Sequence, residues 1–549
     1  MDRVSSLVVR RRRAVILLTA LMCAVFGVLS LFVRVNYDMG DYLPAYTPTT
    51  QAMGLVQTRL PNLSLYVPGL SLREAAEEKQ AIAGMPGVEG VLWLDDAMDI
   101  RSRPEATLDA AAVSRYYNEG PLYRLIIDEA TQSATVQELR ERYPDALMSG
   151  VAYGLAQIIN VTMKEVSSLM LIVAPLCILI LLAATRHWAE PLLFLLAIGA
   201  AIVLNEGSNI IFGSVSYITR ACSALLQLAV SIDYAIFLLH SFDELRDTGM
   251  ETHEAMRQAM RRAAPSIASS AMTTVFGFLA LTLMDFRLGM DLGLVLAKGV
   301  LFSYLCVMFF LPACTVASVR LLDRTRHRSF LPDFRGFGRF VTRRMGPVAL
   351  AVLLVLPVAF LAQRSTRFLY GTGGMHSEDS PVHTEKRAIE EVFGSGRMAM
   401  VLVPEGDRAR EAGLARALRD LPRVASVISY SDAVSLSIPP EVLPPRATEA
   451  FYEGGYARLI VSLDTDEESD EAFEATRRLR ETAAAYYPGE GHVIGETAVN
   501  EDLMSVITRD TLKVLLAGIL SIGIVLLINF RNLTIPLILL VIIQGSIWL

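Results

Sequence analysis

Long apolar stretches alternate with polar segments along the whole chain. Two large polar segments, 34–166 and 363–511, follow the first and the seventh apolar stretch. A helix needs roughly 20 apolar residues to cross a bilayer. The pattern therefore predicts a polytopic α-helical membrane protein with two large polar domains and nine spans, at 14–33, 167–184, 191–212, 219–242, 265–284, 289–312, 345–362, 512–530 and 534–549.

The composition supports this prediction and limits the chemistry of the polar segments. Hydrophobic residues make up 53% of the chain and charged residues 19%, values that exclude an ordinary soluble protein. None of the five cysteines lies in either polar segment, so these segments contain no disulfide. The net charge of -7 is spread over both polar segments and gives no indication of nucleic-acid binding.

Arginines cluster beside span ends that should share one side of the membrane. The positive-inside rule places such clusters in the cytoplasm. The sequence therefore predicts a cytoplasmic N-terminus, a basic cytoplasmic linker after the sixth span and two extracytoplasmic polar domains. The clusters are Arg10 to Arg13, Arg186, Arg257 with Arg261 and Arg262, Arg320 to Arg344, and Arg531.

Both polar segments show strand patterns that alternate with helix patterns. Two strand–helix–strand units in each segment predict an α+β domain of the ferredoxin-like type. The two halves also correspond at one offset, since Gly150 and Gly495, and Pro191 and Pro536, are each 345 positions apart. At this offset the counterpart of Asp233 would lie beyond Leu549, so we expect a longer form of the chain with about twelve spans.

These patterns predict an internally duplicated organisation. A first span and a first polar domain precede a five-helix bundle, and a linker, a span, a second polar domain and two further spans follow. The predicted ranges are 1–33, 34–166, 167–318, 319–344, 345–362, 363–511 and 512–549.

Asp233, near the middle of the fourth span, is the main candidate functional residue. A carboxylate at bilayer depth costs roughly 2.5–3.5 kcal/mol on insertion scales. Counting along the spans places Thr273, Thr274 and Lys298 at a similar depth, and Tyr234 is adjacent in sequence. Lys298 is therefore a candidate counter-charge, and the hydroxyls are candidate supporting groups.

Each of these residues also has a structural interpretation. Asp233 and Lys298 would form a static salt bridge that fixes helix packing, or Lys298 would extend toward the headgroups. Tyr234 would be a packing residue. Glu206, in the third span, would line an entry path or face an aqueous vestibule.

Other common chemistries have no motif in the sequence. It has no phosphate-binding Gly-rich loop with Lys and Ser or Thr, and no His-Glu-x-x-His or paired Cys-x-x-Cys pattern. We therefore expect no ATP-driven step, no metal and no cofactor.

Three stretches together resemble a known family. They are Ser231 to Leu238 (SIDYAIFL) in the fourth span, Asp291 to Gly299 (DLGLVLAKG) in the sixth, and Asn36 to Pro44 (NYDMGDYLP) after the first. With the duplicated plan of one plus five helices, the chain is similar to exporters of the resistance-nodulation-division superfamily, most of all to its MMPL branch.

The resemblance implies a secondary active transporter, not an enzyme, in the bacterial cytoplasmic membrane. Asp233 and Tyr234 would be a proton-relay pair, and proton influx would drive export of hydrophobic or amphiphilic molecules such as lipids and drugs. The polar domains would be porter-type domains that take up these substrates. The family's second acidic relay, in the tenth helix, has no counterpart in this sequence.

A second interpretation uses the same helix bundle without transport. The six-helix unit also resembles sterol-sensing domains, which bind lipid and act through partners. Titration of Asp233 separates the two interpretations, because a proton-driven exporter depends on it and a lipid sensor does not.

Overall fold

The computed structural model describes residues 2–37, 39–55, 61–97, 100, 113–128, 131–327, 335–363, 379–394, 397–433, 451–465 and 469–548. The chain divides into two compact units. The membrane unit comprises Met1–Tyr37, Lys164–Phe368 and Thr508–Leu549, and the polar unit comprises Asp38–Met163 and Leu369–Ile507. For comparison, the predicted polar domains are 34–166 and 363–511.

The helices of the described residues are numbered in chain order. They are α1 Asp2–Arg10, α2 Arg12–Leu29, α3 Pro48–Met53, α4 Leu72–Ala83, α5 Leu94–Ala97, α6 Gln132–Arg142, α7 Val151–Ala184, α8 Glu190–Ser208, α9 Tyr217–Asp247, α10 Thr252–Ala280, α11 Arg287–Leu305, α12 Leu311–Ala317, α13 Val319–Arg324, α14 Arg335–Arg343, α15 Met345–Gln363, α16 Pro381–Phe393, α17 Arg408–Arg419, α18 Tyr430–Ala433, α19 Asp470–Tyr486, α20 Glu496–Phe530 and α21 Thr534–Trp548.

The strands are numbered in the same way. They are β1 Arg34–Asn36, β2 Leu63–Tyr66, β3 Val88–Leu92, β4 Leu122–Ile127, β5 Leu147–Ser149, β6 Ser214–Ser216, β7 Arg397–Pro404, β8 Val424–Ile428, β9 Tyr452–Glu453, β10 Tyr456–Leu463 and β11 His492–Gly495.

Within the described residues, seven helical segments are long and apolar enough to cross a membrane: Arg12–Phe32, Glu190–Phe212, Tyr217–Asp247, Thr252–Leu283, Arg287–Ala317, Met345–Gln363 and Glu496–Phe530. Two shorter apolar helices, Leu171–Ala183 and Thr534–Ile547, correspond to the remaining predicted spans. The chain is therefore a multi-pass membrane protein.

The core of the membrane unit is a bundle in which α2 packs on α8, α8 on α11, and α9 on both α10 and α11. Helix α10 begins well before the predicted residue 265, because Met256 and Met260 continue its apolar face and are fully buried. Gly207 permits close contact between α8 and α2, since a Cβ there would lie 2.0 Å from the carbonyl oxygen of Phe26.

The bundle has two ends, which we name by residues at each. At the Tyr37 end, β1 pairs in parallel with β6 and the rings of Tyr37 and Tyr217 stack. At the His187 end lie the segment between α7 and α8, the end of α9 and the start of the basic linker. An isolated β-bridge between His187 and Arg326 joins the first of these segments to the linker.

The basic linker contains an amphipathic helix, α14, directly before α15. Arg339 and Arg343 are four residues apart and lie on one face. Phe337 and Phe340 lie on the other face and are 66% and 55% exposed. This division suits a helix at a membrane surface. Residues 328–334 of the predicted linker lie outside the described residues.

The polar unit contains two antiparallel sheets built on the same plan. The first has the strand order β3-β4-β2-β5 and the second β11-β7-β10-β8, with β9 paired to β10. Trp93 and Tyr123 are central to the first core, and Val401 and Leu479 to the second. In each sheet the first and last strands in sequence are therefore neighbours. Two interleaved strand–helix–strand units require this arrangement.

The two halves of the polar unit exchange short helices. Helix α16 follows the seventh span in sequence but packs on β5 of the first sheet, and α3 precedes the first sheet but packs on β11 of the second. Ile389 of α16 lies in a core with Tyr66 and Leu122, and Ala52 of α3 in a core with Met400 and Ile494. Neither half therefore has a core made only from its own segment.

Two long helices begin at positions related by the offset of 345 residues. Helix α7 starts at Val151 and α20 at Glu496, which are 345 positions apart, and each follows directly from the last strand of its sheet. The shared register therefore extends through the strand-to-helix junction.

Candidate functional site

Helix α9 carries the candidate acid and has two distinct faces. Its start is set by Ser216, whose hydroxyl caps the helix by accepting a hydrogen bond from the N–H of Ile218 at 3.2 Å. One face is exposed at Leu226, Asp233 and Phe237. An adjacent face, centred roughly 100° around the helix from Asp233, is buried and, unusually for a membrane helix, carries a row of polar side chains.

Asp233 lies on the exposed face of α9. Within the described residues its carboxylate forms neither a hydrogen bond nor an ion pair. Leu226 and Phe237 beside it are 39% and 49% exposed. An uncompensated carboxylate amid apolar side chains is costly in hydrocarbon. This face of α9 therefore requires water or a polar partner at Asp233.

Tyr234 points into the bundle and is only 3% exposed. Its hydroxyl lies near those of Ser270 and Thr274 on α10 but makes no hydrogen bond within the described residues. Thr273 and Thr274 donate their hydroxyls to the carbonyls of Ser269 and Ser270 at 2.9 and 3.1 Å. The Tyr234 and Thr274 hydroxyls therefore lie near each other, on α9 and α10.

The predicted pairing of Lys298 with Asp233 is wrong. The Lys298 ammonium donates to the carbonyl of Asn205 at 3.0 Å and to the side chains of Ser208 and Asn209, both at 2.6 Å. These groups lie at the C-terminal end of α8, where a cation is favoured by the helix dipole.

The reason for the error is helix register. Gln227 of α9 contacts Gly299 of α11, so Lys298 lies near the level of Gln227. Asp233 is six residues further along α9, roughly 9 Å away along its axis at 1.5 Å per residue. Depth counted from predicted span ends missed this offset because α9 continues to Asp247 and α11 begins at Arg287.

A buried amide pair also occupies the bundle, and the sequence analysis did not identify it. Asn205 donates to Gln227 Oε1 at 3.2 Å, and Gln227 donates to the Gly299 carbonyl at 3.0 Å and to Ser303 at 3.1 Å. Gly299 leaves room for this pair, since a Cβ there would lie 2.7 Å from Asn205 Nδ2. The sequence did contain a signal for this pair, since Asn205 and Gln227 are each an amide side chain within an apolar stretch.

A second polar cluster lies at the His187 end. His187 Nδ1 is 2.8 Å from Glu190 Oε1 and 3.6 Å from Asp243 Oδ2, and all three residues are buried. Around them Arg186 and Arg326 both pair with Asp247 at 2.7 Å. A cavity of about 70 Å³ lies among these groups.

This cluster has the spacing of a metal site but is already paired internally. The ligand atoms of His187, Glu190 and Asp243 all lie within 4.8 Å of one another. Burial by itself lowers the pKa of His187, but the hydrogen bond to Glu190 and the charges of Glu190 and Asp243 raise it above its usual value. When His187 is protonated it compensates the two carboxylates, and its contacts with Glu190 and Asp243 connect the start of α8 to the end of α9.

Comparison with known proteins finds a family that matches most of this chain. A model of the MMPL family matches residues 129–348 and 376–548. The chain is 28% identical over 520 residues to "Putative membrane protein SCO5905" of Streptomyces coelicolor, covering 86% of this chain and 58% of that protein.

Two further relatives match shorter parts. Identity to "Membrane protein YdfJ" of Bacillus subtilis is 23% over 354 residues, covering 63% of this chain and 46% of the relative. Identity to "Probable transport protein MmpL10" of Mycobacterium leprae is 24% over 326 residues, covering 56% of this chain and 32% of the relative. The chain thus spans about half the length of the first relatives it matches.

Proposed function

The chain belongs to the MMPL family, and from this premise we propose that it exports hydrophobic or amphiphilic molecules, such as lipids, by using the proton-motive force. The family and the names of its relatives support a membrane transporter and not an enzyme. The proposed substrate class and energy source go further and rest on the helix bundle.

The observation that carries the proposal is the state of Asp233 and Tyr234. Adjacent residues in one span present an exposed carboxylate without a partner and a buried hydroxyl without a hydrogen bond, both within the described part of the chain. A static salt bridge would satisfy the carboxylate, and Asp233 forms none with the residues that the structure describes. A group that must gain and lose a proton in each cycle benefits from being left unpaired.

In this proposal Asp233 is the proton carrier and Tyr234 its neighbouring hydroxyl. Proton binding neutralises Asp233 and lowers the cost of an apolar surrounding, and proton release restores that cost. Alternation between the two states would drive the rearrangement that moves the substrate. Thr273 and Thr274 support the site by lining the adjacent face of α10, and Lys298 acts at a distance by holding the end of α8.

The proposed orientation follows the arginines. Arg186, Arg326 and the α14 arginines belong to the His187 end or its linker, so we place this end in the cytoplasm of a bacterial cell and the polar unit outside. The strand orders of the two sheets support porter-type domains of the ferredoxin-like class. No cofactor or metal has a role in this proposal.

Efflux of a lipophilic dye from cells that express the protein tests the proposal. We expect Asp233→Asn to reduce efflux at least about tenfold, to the level seen when an uncoupler collapses the proton gradient. Glu244→Gln is the matched control, since Glu244 is exposed on the same helix near its His187 end, where it pairs with His240 at 3.3 Å. Efflux by Asp233→Asn equal to the wild type would refute the proposal and favour a lipid sensor.

A further inference from the structure

The buried face of α9 is a continuous polar row that leads to Tyr234. Thr219, Ser223, Gln227, Ser231 and Tyr234 follow at spacings of three or four residues, which places them on one side of a helix. Each of them is at most 3% exposed. A packed membrane helix normally turns apolar or small side chains to its neighbours, so a polar row of this length requires a reason.

The row is connected to two acids at its Tyr37 side. Thr219, its first residue, donates to Asp291 Oδ2 at 2.8 Å. Ser223 donates its hydroxyl to Glu206 Oε1 at 2.9 Å and accepts a hydrogen bond from Asn205 Nδ2 at 3.2 Å. Glu206 is half-buried near the end of α8, so it has access to both the row and the surface of the bundle. Ser231 donates to the Gln227 carbonyl and continues the row toward Tyr234.

Two buried polar atoms, one on this face and one on α8 against it, have no partner among the described residues. Asn205 Oδ1 and the Tyr234 hydroxyl are both fully buried and have no hydrogen bond within the described residues. Buried polar atoms are normally satisfied by protein or by internal water. Ser223, beside Asn205, is eleven residues from Tyr234, or roughly 16 Å along the helix at 1.5 Å per residue. The unpartnered atoms thus lie near the two ends of one path, where water would satisfy them.

We propose that Glu206 and this polar row form the route by which protons reach Asp233 from the Tyr37 end. The inference rests on the proposed function and adds the side from which protons enter the bundle. The Glu206 carboxylate takes a proton from the solvent and forms a carboxylic acid. It then passes that proton to hydroxyls and water along the row, each oxygen gaining one O–H bond as it loses another. The Asp233 carboxylate ends protonated, and Glu206 returns to its charged form.

The remaining polar groups have positioning roles. The Asn205 and Gln227 amides hold the row in place through the Gly299 carbonyl and Ser303. The Lys298 ammonium donates to the carbonyl of Asn205, the residue before Glu206, and its three hydrogen bonds hold it at the end of α8.

Proton entry into vesicles containing the reconstituted protein tests the route. The vesicles hold a pH-sensitive fluorophore, a lipophilic dye is present as the exported molecule, and the external pH is lowered. The signal assigned to the protein is the wild-type rate minus the rate of Asp233→Asn. Because Glu206 and Asp233 act in series, vesicles with either orientation of the protein report on the route.

We expect Glu206→Gln to reduce this rate at least tenfold and Glu206→Asp, which keeps a carboxyl, to recover most of it. Ser223→Ala, which removes one hydroxyl with little change in volume, should also slow it severalfold. Asp285→Asn is the matched control and should behave as wild type, because Asp285 is an acid at the same end that pairs with Lys513 at 2.6 Å.

The outcomes separate the two proposals. If wild type and Asp233→Asn admit protons equally, the proposed function and the route both fail. If Asp233→Asn blocks entry while Glu206→Gln and Ser223→Ala match the wild type, proton coupling stands and this route is wrong. Equal loss in Glu206→Asp and Glu206→Gln, with both variants folded by gel filtration, would also overturn the role of Glu206 as the proton acceptor.

Discussion

Arg140 and Glu385 are 245 positions apart in sequence and form an ion pair inside the polar unit, with Arg140 Nη2 2.8 and 2.7 Å from the two carboxylate oxygens. The same carboxylate accepts hydrogen bonds from the Tyr153 hydroxyl and the Met148 N–H, both at 2.8 Å. Glu385 lies on α16, so this contact fastens the helix that the second half contributes to the first sheet. Thr49 and Asp502 make the reciprocal contact, in which the Thr49 N–H donates to Asp502 at 2.9 Å.

Replacing Glu385 should loosen the polar unit. Glu385→Ala leaves the Arg140 guanidinium and the Tyr153 hydroxyl without their acceptor, and we expect the free energy of unfolding to fall by about 2–3 kcal/mol. Denaturant unfolding followed by tryptophan fluorescence measures this loss. Glu474→Ala is the control and should cost less than about 0.5 kcal/mol, because its pair with Arg478 is exposed. A loss for Glu385→Ala as small as the control would show that α16 is held by its apolar contacts alone.

Tyr234→Phe should separate stability from activity. The variant removes a buried hydroxyl that has no hydrogen bond in the described residues, so we expect thermal stability to be unchanged or to rise by the equivalent of about 1 kcal/mol. Dye efflux should nevertheless fall, because the proton route loses its last hydroxyl before Asp233. Tyr304→Phe is the control on α11, with no expected loss of efflux. Normal efflux by Tyr234→Phe would remove Tyr234 from the relay.

A double-mutant cycle checks the corrected position of Lys298. Lys298→Met removes three hydrogen bonds, and at roughly 0.6 kcal/mol for each such bond in membrane helices it should cost about 2 kcal/mol. Since Asp233 and Lys298 do not touch, the stability changes of Asp233→Asn and Lys298→Met should add within about 0.5 kcal/mol. Measured coupling above about 1 kcal/mol would instead restore the ion pair that the sequence suggested.

His187 should make the stability of the bundle depend on pH. Its folded pKa lies above the unfolded value of about 6.5, because Glu190 and Asp243 outweigh burial and the opposing charge of Arg326. The stabilisation is therefore fully present below about pH 6.5 and is lost as the pH rises through the folded pKa. For one proton the slope is at most about 1.4 kcal/mol per pH unit.

Thermal unfolding between about pH 5.5 and 8.5 measures this dependence. His187→Gln should flatten the decline on the alkaline side. His240→Gln should keep it, since His240 is 56% exposed and its pair with Glu244 is on the surface. Equal slopes in wild type and His187→Gln would assign the pH dependence to other groups.

The sequence by itself determined the features that depend on local composition. Apolar length located the spans, and strand periodicity located the sheets, because both arise from which residues must leave water. Asp233 was identifiable for the same reason, as a charge inside an apolar stretch. The offset of 345 positions likewise needed only a comparison of the chain with itself.

Only the tertiary structure decided which distant groups meet. The partners of Lys298 depend on where α9 and α11 begin and how they are rotated, and a shift of six residues moved the ammonium from Asp233 to the end of α8. The exchange of α3 and α16 between the two sheets depends on packing between segments more than 200 residues apart. Local sequence patterns do not show which of these distant segments meet. The polar row on α9 became visible only when burial showed which side of the helix faces the bundle, because a helix exposes or buries a residue according to its neighbours.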